Sequence, residues 1–296
     1  MNKRVLLIGN DINNATESYS WNDLINGLLE YAKIDRNINK IDKPFPMLYE
    51  EIYLNSRRVH NTPESRLKKY IASNTRKLRP NQLHESVLGL GIENILTTNY
   101  DLSFEKATGV DHGKITNRGF IKESSYNMFR YHDTGKHRIW HIHGSQTVPN
   151  TITLGYEHYS GYLQQMRNYV ATGTKGIYKK RDFLPIAKRV KEGNLTYESW
   201  VDFFFTRDIY IFGLNLDFVE MHLWWLFTYR ARVMVENRFP VSNRILYFYP
   251  KKYERASKHK LEMFNVNGVE TYPEKLRGNS RMNYYNRIIG RIKDGI

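Results

Sequence analysis

The chain has 296 residues, 41% of them hydrophobic and 25% charged, ordinary proportions for a globular protein with a sizeable core. Its 45 Lys and Arg outnumber its 30 Asp and Glu, for a net charge of +15, which suits partners that carry negative charge. It has no cysteine, which excludes disulfides, cysteine-held zinc, iron–sulfur clusters and a thiol nucleophile, and points to a reduced, cytoplasmic setting.

In chain order, a short apolar run recurs and ends each time in small or polar residues. Val5-Leu6-Leu7-Ile8 ends at Gly9-Asn10. This run is too short for the apolar core of a secretory leader, which needs about 7–15 residues, and no later window approaches the roughly 18 apolar residues of a transmembrane helix. Trp21, Leu24, Ile25, Leu28 and Leu29 follow at helical spacing, with Ser20 and Asp23 as a predicted capping box. Residues 82–89 read as a short helix leading into Ile95-Leu96, which ends at Thr97-Thr98-Asn99. Ile139-Trp140-His141-Ile142-His143 ends at Gly144-Ser145, and Ile209-Tyr210-Ile211-Phe212 at Gly213-Leu214-Asn215. Asp217 and Glu220 are predicted to cap a helix over Phe218–Arg232. Ile245–Tyr249 and Val269–Tyr272 close the series of strands, with helices over 254–264 and 281–293.

Continuous apolar runs alternating with helices predict an α/β, Rossmann-like, doubly wound and mainly parallel sheet. Residues 35–80 and 146–200 carry little strand signal and read as helical elaborations packed together on a single domain spanning 1–296. In such sheets ligands bind outside the carboxyl ends of the strands. Four strand ends here carry Asn, Asp, His, Ser and Gly, and all four would converge on one rim. Neither G-x-G-x-x-G nor G-x-x-x-x-G-K-[ST] is present. Gly9 and Gly213 could admit a phosphate to the backbone or be plain turn residues.

Five of these stretches, in order, resemble the SIR2-like domain of bacterial antiphage defence proteins: GNDIN…SWNDLI, LTTNYD, WHIHGS, LGYEHY and IFGLNLDFVE. The LTTNYD stretch is also similar to the T-Q-N-x-D region of sirtuins, and His143-Gly144 to their catalytic His-Gly. The resemblance implies a fold that binds NAD+ as substrate and cleaves the nicotinamide–ribose bond. It assigns catalysis to Asn99 and His143, with Asp101 at the nicotinamide end. Gly9, Asn10, Asp11, Asn13, Thr98, Gly144, Ser145, Gly213, Leu214 and Asn215 would hold the remainder of the dinucleotide. The chemistry of those residue types agrees. Nicotinamide leaves NAD+ as a neutral molecule through an oxocarbenium-like transition state, so departure needs no acid. An Asn amide can position a water or a ribose hydroxyl, and a His can accept a proton near neutral pH.

Two features separate the chain from sirtuins. The four-cysteine zinc module that helps to build their acyl-lysine cleft is missing, which disfavours protein deacylation. Their G-A-G-x-S opening is reduced to Gly9-Asn10-Asp11-Ile12-Asn13. His141 and His143, with Asp101 as a third ligand, raise a metal reading that no spacing supports, so no metal is expected. Other stretches keep two readings each. Asp11 and Asn13 contact ribose or cap the next helix. Tyr156 to Tyr159 form a lid or plain helix surface. Trp224, Trp225, Phe227 and Tyr229 pack the core or form a subunit interface.

The positive charge is concentrated in residues 51–90 (8 basic, 3 acidic), 166–191 (8 and 1) and 251–296 (11 and 5). The resemblance implies a toxic effector that depletes NAD+ in abortive infection. Such an activity must be silent until triggered, so a homo-oligomer or a separately encoded activator or sensor is expected, whether an ATPase, an Argonaute-like protein or another defence protein. Nucleic acid could dock on the basic segments; no membrane partner is expected. The competing reading is a module that holds NAD or ADP-ribose without turnover while docking nucleic acid or a partner.

Overall fold

The computed structural model describes residues 3–16, 21–34, 38–111, 115–276 and 280–296. Ser20 of the predicted capping box and the side chain of Trp21 lie outside the described residues. Eight strands form one sheet: β1 (Arg4–Ile8), β2 (Asn94–Thr97), β3 (Thr116–Gly119), β4 (Arg130–Asp133), β5 (Arg138–His141), β6 (Asp208–Phe212), β7 (Ile245–Pro250) and β8 (Glu270–Glu274). Their order across the sheet is β3-β4-β5-β2-β1-β6-β7-β8. The six strands from β5 to β8 are parallel, while β3 and β4 add an antiparallel edge beside β5. The α/β, Rossmann-like fold read from the sequence is the one observed.

The parallel strands are apolar on both faces because helices cover both faces. Val5, Leu7, Leu96, Ile209 and Ile211 enter one buried cluster, and Leu6, Ile8, Ile95, Tyr210 and Phe212 enter the other. The first face is covered by the helices Tyr156–Arg167 and Met221–Val235, the second by Gln82–Leu88 and Arg281–Asp294. Trp224 and Phe227 are buried in the first cluster, and Trp225 and Tyr229 pack against it, so this aromatic run serves the core.

A third cluster gathers the helices Trp21–Tyr31, Phe45–His60 and Glu64–Thr75 with Tyr100, Ile152 and Leu154. Lys68 Nζ donates to the Asn150 carbonyl at 3.0 Å, and the Glu157 N–H to Glu50 at 3.1 Å. The start of the 146–200 stretch therefore meets the helices of 35–80. Its later aromatics, Tyr162, Tyr169, Phe183 and Trp200, pack on the sheet instead.

Three boundaries differ from expectation. The helix after β6 begins at Met221, and Glu220 makes no side-chain capping bond. Asp217 cannot cap it either, because its carboxylate accepts from the Asn215 amide (2.6 Å) and Lys260 (3.1 Å). The helix expected over 254–264 runs Lys258–Val266. Strand β5 stops at His141, before His143. No helix among the described residues is long and apolar enough to cross a membrane.

Candidate active site

Strand β1 lies between β2, the next strand in sequence, and β6, which returns much later. The chain thus leaves β1 toward opposite edges of the sheet, and the crevice at such a switch point is where an open α/β sheet receives ligands. A cavity of about 470 Å³ occupies it, lined by the ends of β1, β2 and β6, by His143 beyond β5, and by Leu24, Phe45 and Thr75 of the helical cluster. The four polar strand ends do converge.

Asn99 is 95% buried on this wall. Its backbone is fixed: the N–H donates to Thr97 Oγ1 (3.1 Å), and the carbonyl accepts from His141 Nδ1 (2.7 Å). Its side-chain amide has no partner at either atom among the described residues. A buried amide without partners forfeits about 1–3 kcal/mol, so its placement at a cavity wall points to a ligand that satisfies it. Asp101 also lines the cavity; its carboxylate accepts from the Ser103 N–H (2.8 Å) and the Asn13 amide (3.0 Å).

His143 lines the same cavity and faces His222, which the sequence reading passed over, and Glu220, which it assigned to a helix cap. His143 Nε2 lies 3.1 Å from His222 Nε2 and 3.2 Å from Glu220 Oε2. The contact with Glu220 is an ion-pair distance without hydrogen-bond alignment, since Glu220 Oε2 has no hydrogen-bond partner. His222 is buried in the first turn of its helix, stacked on Tyr162 with ring centres 5.0 Å apart. Burial, and then the nearby charge of His143, hold the His222 pKa well below the ordinary histidine value. His222 is therefore neutral at physiological pH, and the two rings share one N–H···N bond. Tyr159 covers the edge of His143, with ring centres 5.9 Å apart, and reaches toward Glu220 at 3.5 Å. Burial first, then Glu220, hold the Tyr159 and Tyr100 phenols in their protonated form, so both remain donors.

Behind Asn99 lies a second group. Glu105 Oε1 accepts from His132 Nδ1 (2.5 Å) and His141 Nε2 (2.7 Å). Burial disfavours the carboxylate, but the charge of His141 and the bonds from both rings outweigh it and hold Glu105 well below the usual carboxylate range. Burial likewise opposes charge on His141, yet Glu105 and the Asn99 carbonyl raise its pKa. His141 is thus an imidazolium that clamps the backbone of Asn99. The ligand set considered from sequence, His141 with His143 and Asp101, is not assembled. Among the described residues, Glu105–His132–His141 and His143–Glu220–His222 are the groups whose ligand atoms converge.

The remaining predicted residues divide. Asn10, Asp11, Thr98, Gly213, Leu214 and Asn215 line the cavity. Gly9, Asn13, Gly144 and Ser145 do not, and each has a packing reason. A Cβ on Gly9 would collide with Leu214 and the Gly213 carbonyl, so this glycine lets two strand ends touch. Asn13 turns inward, donating to Asn10 (2.8 Å) as well as to Asp101. Gly144, at φ +90°, passes against the Thr151 carbonyl, and Ser145 bonds to Thr147 and Thr151. Asp11 caps no following α-helix; its carboxylate accepts from Arg281 (3.0 Å) and Tyr285 (2.6 Å), tying the closing helix to the cavity rim. Of the Tyr156–Tyr159 group, Tyr159 faces the cavity, His158 pairs with Glu64 (2.9 Å), and Tyr156 is exposed.

Residues 93–196 match the family model of the SIR2-like domain. This third or so of the chain holds Asn99, Asp101, Glu105, His132, His141, His143 and Tyr159, and it bears out the resemblance carried by LTTNYD, WHIHGS and LGYEHY. It connects this stretch with sirtuin-related, NAD-binding domains. No curated protein matches the chain.

Proposed function

We propose that the chain is an NAD+ glycohydrolase that acts as the effector of an antiphage system, depleting cellular NAD+ in the cytoplasm once assembly or a partner switches it on. One observation carries the enzymatic part: Asn99, whose buried side-chain amide is unpartnered among the described residues, lines the same cavity as His143 at the switch point of the sheet. The SIR2-like match over this stretch supplies the ligand class.

The reaction needs little from the protein beyond placement and charge. The C1′–N bond breaks, and nicotinamide leaves with the bonding pair as a neutral molecule. Positive charge then develops on the ribose, and the carboxylates of Asp101 and Glu220 at the cavity wall stabilise it. The Asn99 amide orients the attacking water or a ribose hydroxyl. His143 takes the proton released as the new C1′–O bond forms, and the resulting imidazolium is held by the neutral His222 and by Glu220. Asn10, Asp11 and Asn215 flank the path for the ADP-ribose portion.

The test is to incubate purified chain with NAD+ over a range of concentrations and separate nicotinamide from ADP-ribose products. Stoichiometric nicotinamide release, rising more steeply than linearly with protein concentration, is the expected result for an enzyme switched by assembly. Tight NAD+ binding with no release, alone and with the proteins encoded beside it, would establish the non-catalytic module instead.

A further inference from the structure

We propose that His143, His222 and Glu220 form a divalent metal site of the kind zinc takes, and that an ion held there keeps the cavity inactive. Three donor atoms of suitable chemistry converge on one point. The two imidazole Nε2 atoms are 3.1 Å apart, and Glu220 Oε2 is 3.2 Å from that of His143. Zinc bonds of about 2.0–2.1 Å in a tetrahedral arrangement put neighbouring ligand atoms about 3.3 Å apart. The two spacings at His143 are within about 0.2 Å of that value, and all three ligand atoms lie within 4.8 Å of one another.

The donors are also available. Among the described residues Glu220 Oε2 has no hydrogen-bond partner, and the two Nε2 atoms bond to each other. On binding, the shared hydrogen moves to Nδ1 of its ring, so both imidazoles present Nε2 lone pairs to the ion. The cavity beside His143 and Glu220 leaves a fourth position for water. The Glu105–His132–His141 group cannot act in this way. All four of its ring nitrogens are already engaged, by Glu105, Thr147 and the Asn99 carbonyl, and none of its residues lines the cavity at the strand ends.

The site has an open face and lacks one support. No described group accepts from His222 Nδ1, whereas ligating histidines ordinarily donate their second nitrogen to a partner that strengthens metal binding about 10–100-fold. The ion is therefore exchangeable rather than structural. Its effect follows from imidazole chemistry. A neutral ring bound through Nε2 carries its hydrogen on Nδ1 and has no lone pair left to accept a proton. The inhibitory part of this inference rests on the hydrolase reading, whereas the binding part does not.

Zinc titration of the chelator-stripped full chain against a chromophoric competitor tests the binding. One zinc per chain is expected, with affinity at least tenfold weaker in His222→Gln and in Glu220→Gln, and imidazole nitrogen in the zinc absorption-edge spectrum. Equal affinity in wild type and in a folded variant would overturn the site. If the buried His222→Gln variant fails to fold, Glu220→Gln, whose side chain is partly exposed, decides. Nicotinamide release is then measured in parallel. Suppression by one equivalent of zinc and recovery with chelator is expected, and unaltered release from zinc-loaded chain would overturn the inhibitory role. Absence of release with and without zinc, both alone and with the proteins encoded beside it, would refute the hydrolase and the inhibitory role together, while the titration still decides the site.

Discussion

Glu105 with His132 and His141, and Glu220 with His143 and His222, are built from the same three side chains, and strand β5 and the turn after it supply a histidine to each. In the first group every ring nitrogen is engaged, the carboxylate is fully buried, and one imidazolium clamps the backbone of Asn99. Among the described residues Glu105 Oε2 and Glu220 Oε2 both lack a partner, but in the second group the two rings share a single bond, His222 Nδ1 is unpartnered, and a cavity lies alongside. Identical residue types therefore serve opposite ends. Ring nitrogens that are all engaged away from the cavity make a rigid support; ring nitrogens left available beside it make a place for chemistry.

The sharpest way to break this comparison is to remove the buried carboxylate. Glu105→Ala leaves an imidazolium without its counter-charge and is expected to destabilise the fold by about 3–5 kcal/mol, read as a lower midpoint in urea unfolding. A loss below about 1 kcal/mol would mean that the closed group is no support. The turn that separates His141 from His143 comes next. Gly144→Ala places a Cβ against the Thr151 carbonyl at positive φ, with an expected cost of about 1–3 kcal/mol in the same assay. An unchanged midpoint would show that the turn relaxes freely.

A smaller effect separates the groups by pH. His222 has a depressed pKa in the fold, so the unfolded chain binds its proton first. The stability linked to it is present above the ordinary histidine value and falls as pH drops below that value, by up to about 1.4 kcal/mol per pH unit. The closed group behaves otherwise. The Glu105 contribution disappears only as pH falls through its lowered pKa, and that of His141 only as pH rises through its raised one. Urea midpoints of wild type should thus decline between about pH 6.5 and 5, and those of His222→Gln should decline less. Parallel curves would contradict the assignment of a neutral, buried His222.

Much of this organisation was legible in the sequence, for physical reasons. Doubly buried strands write themselves as runs such as Val5–Ile8 and Ile209–Phe212, so the parallel part of the sheet was readable. The edge was not. Strand β3 is Thr-Asn-Arg-Gly with all four residues exposed, and β4 is largely polar, so neither leaves an apolar signature. Asn99 and His143 could be singled out because strand ends rarely carry such residues without reason. Glu105 and His132 could not, since their partners are 27 and 36 residues apart in the chain and nothing local marks them. His222 did leave a trace, as a lone histidine in the apolar run Met221–Phe227. Glu220 was misassigned to a cap because a carboxylate ahead of a helix looks the same whether it faces the backbone or a cavity.

The central claim is that the open group with Asn99 does chemistry while the closed group only supports it. Nicotinamide release from NAD+, measured for wild type, Asn99→Ala, His143→Ala and Glu105→Gln at matched folded fractions, tests it most directly. The account predicts that Asn99→Ala and His143→Ala lose about 10²–10⁴-fold, while folded Glu105→Gln loses less than about tenfold. Release by wild type that survives in Asn99→Ala and His143→Ala, or a loss in folded Glu105→Gln as large as theirs, would contradict it.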